Sequence, residues 1–128
     1  MTNAEPDPRA VLAYTYLTTT GRRTGRLHTV EIWFVLRDRR LFLLSGGGRR
    51  SDWVRNLLAD PNVVLKLGDS THRGVARLVE GSPEDDPIRK AVAAKYQGWR
   101  EGKPLGEWAR TSPVIEIELG DAEPTGAG

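Results

Sequence analysis

The chain has 128 residues with 19 basic and 17 acidic side chains, a length that fits one domain and a charge that is nearly balanced. A general nucleic-acid binder carries a larger basic excess, so we expect no nucleic-acid partner. The absence of cysteine excludes disulfides, thiolate catalysis and thiolate metal sites. No apolar run approaches the ~18 residues of a membrane span, so we expect a cytoplasmic protein without a membrane span.

The first half of the chain is dominated by predicted strands. Residues 14–19 predict a weak first strand, and residues 29–36 predict a second one rich in β-branched and aromatic side chains. Residues 41–44 are a third apolar run, and the charged residues 37–40 lie between the second and third runs. This arrangement predicts a hairpin.

The second half adds three more strands. Residues 62–67 and residues 71–80 flank the turn-forming sequence of residues 68–70, Gly-Asp-Ser. Residues 113–119 alternate cleanly between apolar and acidic side chains. These patterns bring the predicted count to six strands.

Two segments have helical patterns. Ser51 and Asp52 can cap a helix that runs to about residue 59, and Pro87 lies near the start of a helix over residues 88–96. Short strands with two helices, not in strict alternation, predict a mainly β (α+β) small barrel. We expect a flexible segment over residues 1–10, one domain over residues 11–119 and a flexible tail over residues 120–128.

Two glycine- and arginine-rich segments are candidate anion sites. Residues 18–26, Thr-Thr-Thr-Gly-Arg-Arg-Thr-Gly-Arg, place three arginines within five positions between hydroxyls and glycines. Residues 45–53 place three glycines and two arginines directly before a helix start. Neither segment matches a known nucleotide loop, and each alone is also explained as a polar turn or a flexible connection.

Aromatic side chains supply candidate walls for a flat ligand, namely Trp33, Trp53, Tyr96, Trp99 and Trp108. Considered alone, Trp33 and Trp53 are better explained as core residues. Trp99 and Trp108 lie in the polar residues 97–110, which predict a lid or rim.

The sequence pattern identifies no side chain as a catalytic group or a metal ligand. His28 and His72 have no partners at metal-ligand spacing, and no Ser-His-Asp arrangement can be inferred. We therefore expect no catalytic residue and no metal, which is typical of a protein whose cofactor performs the chemistry.

Three motifs together resemble the deazaflavin (F420)-dependent nitroreductase family. They are residues 18–25 (Thr-Thr-Thr-Gly-Arg-Arg-Thr-Gly), residues 45–48 (Ser-Gly-Gly-Gly) and residues 53–61 (Trp-Val-Arg-Asn-Leu-Leu-Ala-Asp-Pro). The resemblance spans about residues 14–119. It implies a six-stranded split β-barrel of the FMN-binding, pyridoxamine-phosphate-oxidase-like kind, with two to three short helices.

The resemblance also implies site residues. The cofactor-binding residues it implies are Arg22, Arg23, Thr24, His28, Ile32, Trp33, Ser45, Gly46, Gly47, Arg50 and Trp53. Among them, the arginine loop would hold the anionic end of F420 and the strand residues would line its ring. The substrate side would be covered by Tyr96, Trp99 and Trp108.

The function implied is hydride transfer from reduced F420 to a flat, electron-poor small molecule such as a quinone, nitroaromatic or enone. An FMN-binding oxidoreductase and a non-catalytic cofactor-binding protein are the alternatives. FMN has one phosphate and no oligoglutamate tail, so the number of arginines favours F420. The chain is expected to be a monomer or a homodimer.

Overall fold

The computed structural model describes residues 7–79 and 81–123. Within that part the strands are β1 (Thr15–Thr20), β2 (Leu27–Ile32), β3 (Val35–Arg37), β4 (Arg40–Leu44), β5 (Asn62–Leu67), β6 (Ser70–Leu78) and β7 (Val114–Ala122). The α helices are α1 (Asp52–Ala59), α2 (Asp85–Gln97) and α3 (Glu107–Thr111), and short 3-10 helices cover Pro8–Val11 and Gly48–Arg50.

All seven strands form one antiparallel sheet in the order β2-β1-β5-β6-β7-β4-β3. The strands at the two ends of this order are consecutive in the chain, with only Trp33 and Phe34 between them. Three peptide links span at most about 11 Å. The sheet must therefore curl until its two edges approach each other, which produces a barrel.

The seventh strand corrects the predicted count of six. Residues 29–36, predicted as one strand, are the end of β2 and the start of β3, which lie at opposite edges of the sheet. The break occurs at Phe34, whose backbone bonds to side chains of α2. Its N–H donates to the Tyr96 hydroxyl at 3.1 Å, and its carbonyl accepts from Lys95 Nζ at 3.0 Å. The sequence pattern of the run does not encode these distant partners.

Two apolar clusters hold the fold together. The first fills the barrel, where side chains of β1, β4, β5 and β7 meet Val54 and Leu57 of α1. The second lies between the outer side of the barrel and the helices α2 and α3, and Phe42 and Ile88 are fully buried in it. The hydrophobic effect thus holds α1 against the first cluster and α2 against the second.

Several element boundaries differ from the expected ones. Helix α2 begins at Asp85, three residues early, and β7 continues through residues 120–122, which were expected in the tail. The first three residues of the Pro8–Val11 helix belong to the segment expected to be flexible, and Arg9 Nη1 lies 2.8 Å from His72 Nε2. Residues 1–6 and 124–128 lie outside the described residues.

A buried carboxylate anchors charged side chains on the outer side of β7. The Glu116 side chain is 4% exposed and bonds to Arg40 and to Arg77, whose Nη2 lies 3.1 Å from Glu116 Oε2. Arg40 also pairs with Glu84 at the start of α2. Burial alone would raise the pKa of Glu116, but the hydrogen bonds from the two arginines outweigh it and lower that pKa.

We predict that Glu116→Gln lowers the free energy of unfolding by about 1–3 kcal/mol at pH 7, because two arginines lose their buried counter-charge. A carboxyl with a lowered folded pKa stabilises the protein above its unfolded pKa and loses that effect as the pH falls through the folded pKa. The difference from wild type should therefore shrink below about pH 4. Urea unfolding at both pH values measures it, and Glu118→Gln, exposed on the same strand, should change little.

Candidate functional site

The connection between β1 and β2 is a compact arginine loop, residues 21–26. Gly21 N–H donates to the Arg26 carbonyl at 2.7 Å, and Gly25 N–H donates to the Gly21 carbonyl at 2.9 Å. Gly25 has φ of 74°, a left-handed backbone that favours glycine. The Thr24 hydroxyl accepts from Arg26 N–H at 3.2 Å. The left-handed backbone accounts for Gly25, and a Cβ at Gly21 would lie 3.0 Å from the Arg26 carbonyl oxygen, which accounts for Gly21.

Asn56 of α1 holds the loop against the barrel. It is 3% exposed, and its Oδ1 accepts from Arg22 N–H at 3.2 Å and from Arg22 Nη1 at 2.9 Å. Its Nδ2 donates to the buried Thr19 hydroxyl at 3.3 Å. Arg22 also pairs with Asp52 at 3.3 Å. Much of the hydrogen-bonding capacity of Arg22 is therefore committed to positioning the loop.

A cavity of about 580 Å³, here called the arginine cavity, opens between the loop, β2 and the start of α1. Its lining is Gly21, Arg22, Arg23, Thr24, Arg26, His28, Thr29, Val30, Asp52, Trp53 and Asn56. The side chains of Arg23, Arg26 and His28 make no hydrogen bond or ion pair with any residue in the described part of the chain. The one carboxylate in the lining, Asp52, pairs with Arg22, so Arg23 and Arg26 present positive charge without a paired carboxylate, as an anion site requires.

A second cavity of about 340 Å³, here called the tryptophan cavity, lies beyond the far end of β2. It is lined by Tyr14, Glu31, Ile32, Trp33, Leu44 and Trp108. The Trp33 ring meets Trp108 edge to face, with centroids 5.6 Å apart. It also stacks on Tyr96 with centroids 4.4 Å apart and an angle of 4° between the planes. These rings form flat walls suited to a planar ligand.

Strand β2 connects the two cavities. His28, Thr29 and Val30 line the arginine cavity, and the next residues, Glu31 and Ile32, line the tryptophan cavity. At about 3.3 Å per residue, His28 and Ile32 are about 13 Å apart along the strand. An elongated ligand with an anionic end and a planar end matches this arrangement.

Tyr96 and Lys95 at the end of α2 hold the corner that carries Trp33. The Tyr96 hydroxyl donates to the Ala13 carbonyl at 2.9 Å, besides its contacts with the Phe34 backbone. Burial raises the pKa of Tyr96 and lowers the pKa of Lys95 to about 8. Tyr96, predicted to cover substrate, thus supports the back of Trp33.

Several predicted site residues lie outside the lining of both cavities. Ser45 is buried, donates to the Gly48 carbonyl at 2.8 Å and lies 3.0 Å from the Ser51 hydroxyl. Ser51 therefore does not cap α1 with its side chain, contrary to expectation. Trp99 donates to the Lys103 carbonyl at 2.7 Å and packs on the second apolar cluster. Their predicted contacts with ligand stay predictions, as do those of Gly47 and the exposed Arg50.

Gly46 leaves the space that the Trp108 ring occupies at the tryptophan cavity. A Cβ at Gly46 would lie 2.7 Å from Trp108 Nε1, too close for any side chain. We predict that Gly46→Ala displaces the Trp108 ring, costs about 1–2 kcal/mol and changes near-ultraviolet circular dichroism. Gly106→Ala, two residues before Trp108 and with open space around its Cβ position, is the matched control and should leave the spectrum unchanged.

Sequence reasoning missed Asn56 as a site residue, and it included Arg26 only as part of the candidate anion segment, residues 18–26. Asn56 belongs to the helix pattern Trp-Val-Arg-Asn-Leu. A buried polar position among apolar helix residues is the signal that could have identified Asn56. Tyr14 and Glu31 were also missed, since both lie on predicted strands, where a solvated face is the better explanation of an acidic residue such as Glu31.

Comparison with known proteins now identifies the family. The model of the F420H2-dependent quinone reductases matches residues 8–103. The chain belongs to this family. As a member it is an F420-dependent reductase, and the prediction of an oxidoreductase that uses F420 is confirmed.

Solved structures agree with the family. An F420H2-dependent reductase is 25% identical, with 83% of this chain and 94% of that chain covered and a TM-score of 0.66. A protein described as an F420 reductase is 17% identical, with coverages of 94% and 98% and a TM-score of 0.66. A candidate pyridoxamine 5′-phosphate oxidase from Listeria innocua is 18% identical, with coverages of 88% and 87% and a TM-score of 0.66. The predicted split barrel is confirmed.

A search of curated proteins gave no significant match. Among the described residues, no helix has the length and apolar character needed to cross a bilayer.

The residues of this F420-dependent reductase fit its cofactor. The uncompensated side chains of Arg23 and Arg26 suit the phosphate and carboxylates at the anionic end of F420. Ile32, Trp33 and Trp108 supply apolar and aromatic walls of the kind a deazaflavin ring needs.

Proposed function

We propose that the protein reduces a flat, electron-poor small molecule at the expense of reduced F420, with quinones as the first acceptors to test. The observation that carries this proposal is the pair of cavities joined by β2, one cationic and one aromatic. The family match supports F420 as the reductant, and the printed family description supports a quinone as the acceptor.

In the arginine cavity, Arg23 and Arg26 would bind the anionic end of the cofactor. Arg22 is a positioning residue, since Asn56 and Asp52 occupy its guanidinium. Arg23 and Arg26, by contrast, have side chains free to turn toward a ligand. The three arginines together place positive charge beside the start of α1, where backbone N–H groups also favour an anion.

In the tryptophan cavity, Ile32 and Trp33 would orient the ring system and Trp108 would exclude water from one side. Bound in its reduced form, the deazaflavin supplies a hydride, so the chain itself needs neither nucleophile nor base. The protein contributes alignment of two planar molecules in an apolar environment, and alignment alone lowers a barrier substantially.

A turnover assay, in which reduced F420 is oxidised by a quinone, tests this proposal. Purified protein, reduced F420 and menadione are mixed without oxygen, and the absorbance of oxidised deazaflavin is followed. A panel with a nitroaromatic and an enone ranks the acceptors. Protein-dependent oxidation that saturates with menadione supports the proposal. Oxidation no faster than the protein-free mixture with every acceptor contradicts it.

The acceptor panel also separates the reductase from a cofactor-binding protein without activity. Trp33→Leu is a useful variant, because it removes one wall of the tryptophan cavity and leaves every residue of the arginine cavity unchanged. Slower turnover with retained cofactor affinity would support the ring position. The monomeric or dimeric state and the cytoplasmic location stay predictions.

A further inference from the structure

His28 is the one titratable base in the wall of the arginine cavity, whose other basic side chains are arginines. It lies on β2 opposite Thr19, and its imidazole extends over Gly21. A Cβ at Gly21 would lie 2.9 Å from His28 Nε2, so the absence of a side chain there gives the ring its place. The ring makes no hydrogen bond to another described residue, which leaves both nitrogens available to a ligand.

The charges that face His28 come from two elements. The loop contributes Arg22, Arg23 and Arg26, and α1 contributes Asp52, which is paired with Arg22 at 3.3 Å. Strand β1 contributes the neutral Thr19, and the neighbours Thr29 and Val30 are uncharged. The side chains of Arg23 and Arg26 thus place positive charge beside His28, and neither is paired with a carboxylate of a described residue.

An anion in the cavity reverses this field. Its negative charge offsets the arginines, and an imidazolium can donate a charge-assisted hydrogen bond to it. An ordinary imidazole changes charge near pH 6.5, so a modest change of field moves its protonation within the physiological range. Arginine cannot respond in this way, because it stays charged at every relevant pH.

We propose that His28 takes up a proton when an anionic ligand fills the arginine cavity, so that the affinity for this ligand falls as the pH rises through neutrality. The identity of the ligand as F420 rests on the proposed function. The cavity thus combines a permanent cationic part, Arg23 and Arg26, with one part that depends on pH. The fraction of the protein that carries bound cofactor would therefore fall as the pH rises.

Binding of F420, followed by tryptophan fluorescence at pH 6, 7 and 8, tests the proposal without any turnover. For wild type, the dissociation constant should rise about tenfold from pH 6 to pH 8, since proton linkage is limited to a factor of ten per pH unit for one group. Calorimetry at pH 7 in two buffers with different heats of ionisation should report uptake of a fraction of one proton.

Three variants make the test specific. His28→Gln should bind with one weak affinity at all three pH values and take up no proton, and His28→Arg should bind tightly at all three. His72→Gln is the matched control, because His72 is buried outside the cavity, with its ring nitrogens 2.8 Å from Arg9 Nη1 and the Gly120 carbonyl. It should keep the wild-type pH dependence.

The outcomes separate this inference from the proposed function. Tight binding of F420 by wild type with equal affinity at all pH values and no proton uptake overturns the role of His28 alone. If the affinity of His28→Gln for F420 still depends on pH as in wild type, the role of His28 is also overturned. Absence of F420 binding at every pH overturns the proposed function, and the role of His28 toward this ligand with it.

Discussion

Replacement of Arg23 and Arg26 by glutamine in one variant should weaken F420 binding about 100-fold, with the fold intact. Each side chain lines the arginine cavity and makes no hydrogen bond or ion pair with another residue in the described part of the chain. Their removal therefore breaks no side-chain hydrogen bond or ion pair within the described part of the chain. A charge-assisted hydrogen bond contributes about 1.5–3 kcal/mol in a favourable setting. Partial solvent exposure places each of the two bonds near the lower end of that range. Together they contribute about 3 kcal/mol, which corresponds to about 100-fold in affinity.

The matched control for this variant is Arg37→Gln with Arg55→Gln. Both arginines are exposed, lie outside the cavity lining and have no side-chain hydrogen bond to a described residue. The control changes the net charge by the same amount, so it measures the long-range part of the attraction. Fluorescence titration at low and moderate salt compares the two variants. If they lose the same affinity, Arg23 and Arg26 do not contact the cofactor.

Asn56→Ala should lower the free energy of unfolding by about 2 kcal/mol and weaken F420 binding about tenfold. The substitution deprives the Arg22 N–H and guanidinium of their acceptor and the buried Thr19 hydroxyl of a donor. Leaving buried polar groups unsatisfied costs about 1–3 kcal/mol. The affinity falls because the loop that carries Arg23 loses its attachment to α1.

Asn56→Asp distinguishes this explanation from simple loss of packing. Its carboxylate still accepts from Arg22, and the Thr19 hydroxyl can donate to its second oxygen. Stability at pH 7 should stay within about 1 kcal/mol of wild type. Chemical unfolding measures both variants, and an Asn56→Ala variant as stable as wild type would show that the loop does not depend on this side chain.

Local patterns were sufficient for most of the fold. Residues 62–67 form β5 as expected, and the charged residues 37–40 form the turn between β3 and β4, where Asp38 adopts φ of 56°. Helix α1 ends at residue 59 as expected. Alternation of apolar side chains, turn residues and a proline after the helix carry this information within a few positions.

The division of the run over residues 29–36 could not be read locally. Every residue from Thr29 to Leu36 is compatible with a strand, and the break at Phe34 depends on Lys95 and Tyr96, about 60 positions away. Barrel closure, a property of the whole sheet order, decides it.

The sequence predicted which types of residue form the candidate site, but it did not predict the role of each residue. The arginine loop and Trp33 were found, because glycine, arginine and aromatic residues are conspicuous in a short sequence. The different roles of Arg22 and Arg23 were not, because they depend on Asn56 and Asp52 from another element. Trp99 and Tyr96 were placed over the substrate from their surroundings in the sequence, whereas their hydrogen bonds are to backbone carbonyls and N–H groups.

The most direct test of a single deazaflavin site that spans both cavities is titration of the protein with F420 and, separately, with FMN, followed by tryptophan fluorescence. Trp53 lines one cavity, and Trp33 and Trp108 line the other. F420 should quench strongly and saturate at micromolar concentration or below. FMN, which has one phosphate and no oligoglutamate tail, should bind about tenfold more weakly or worse. FMN binding as tight as F420 binding, or no quenching by F420, would contradict the assignment.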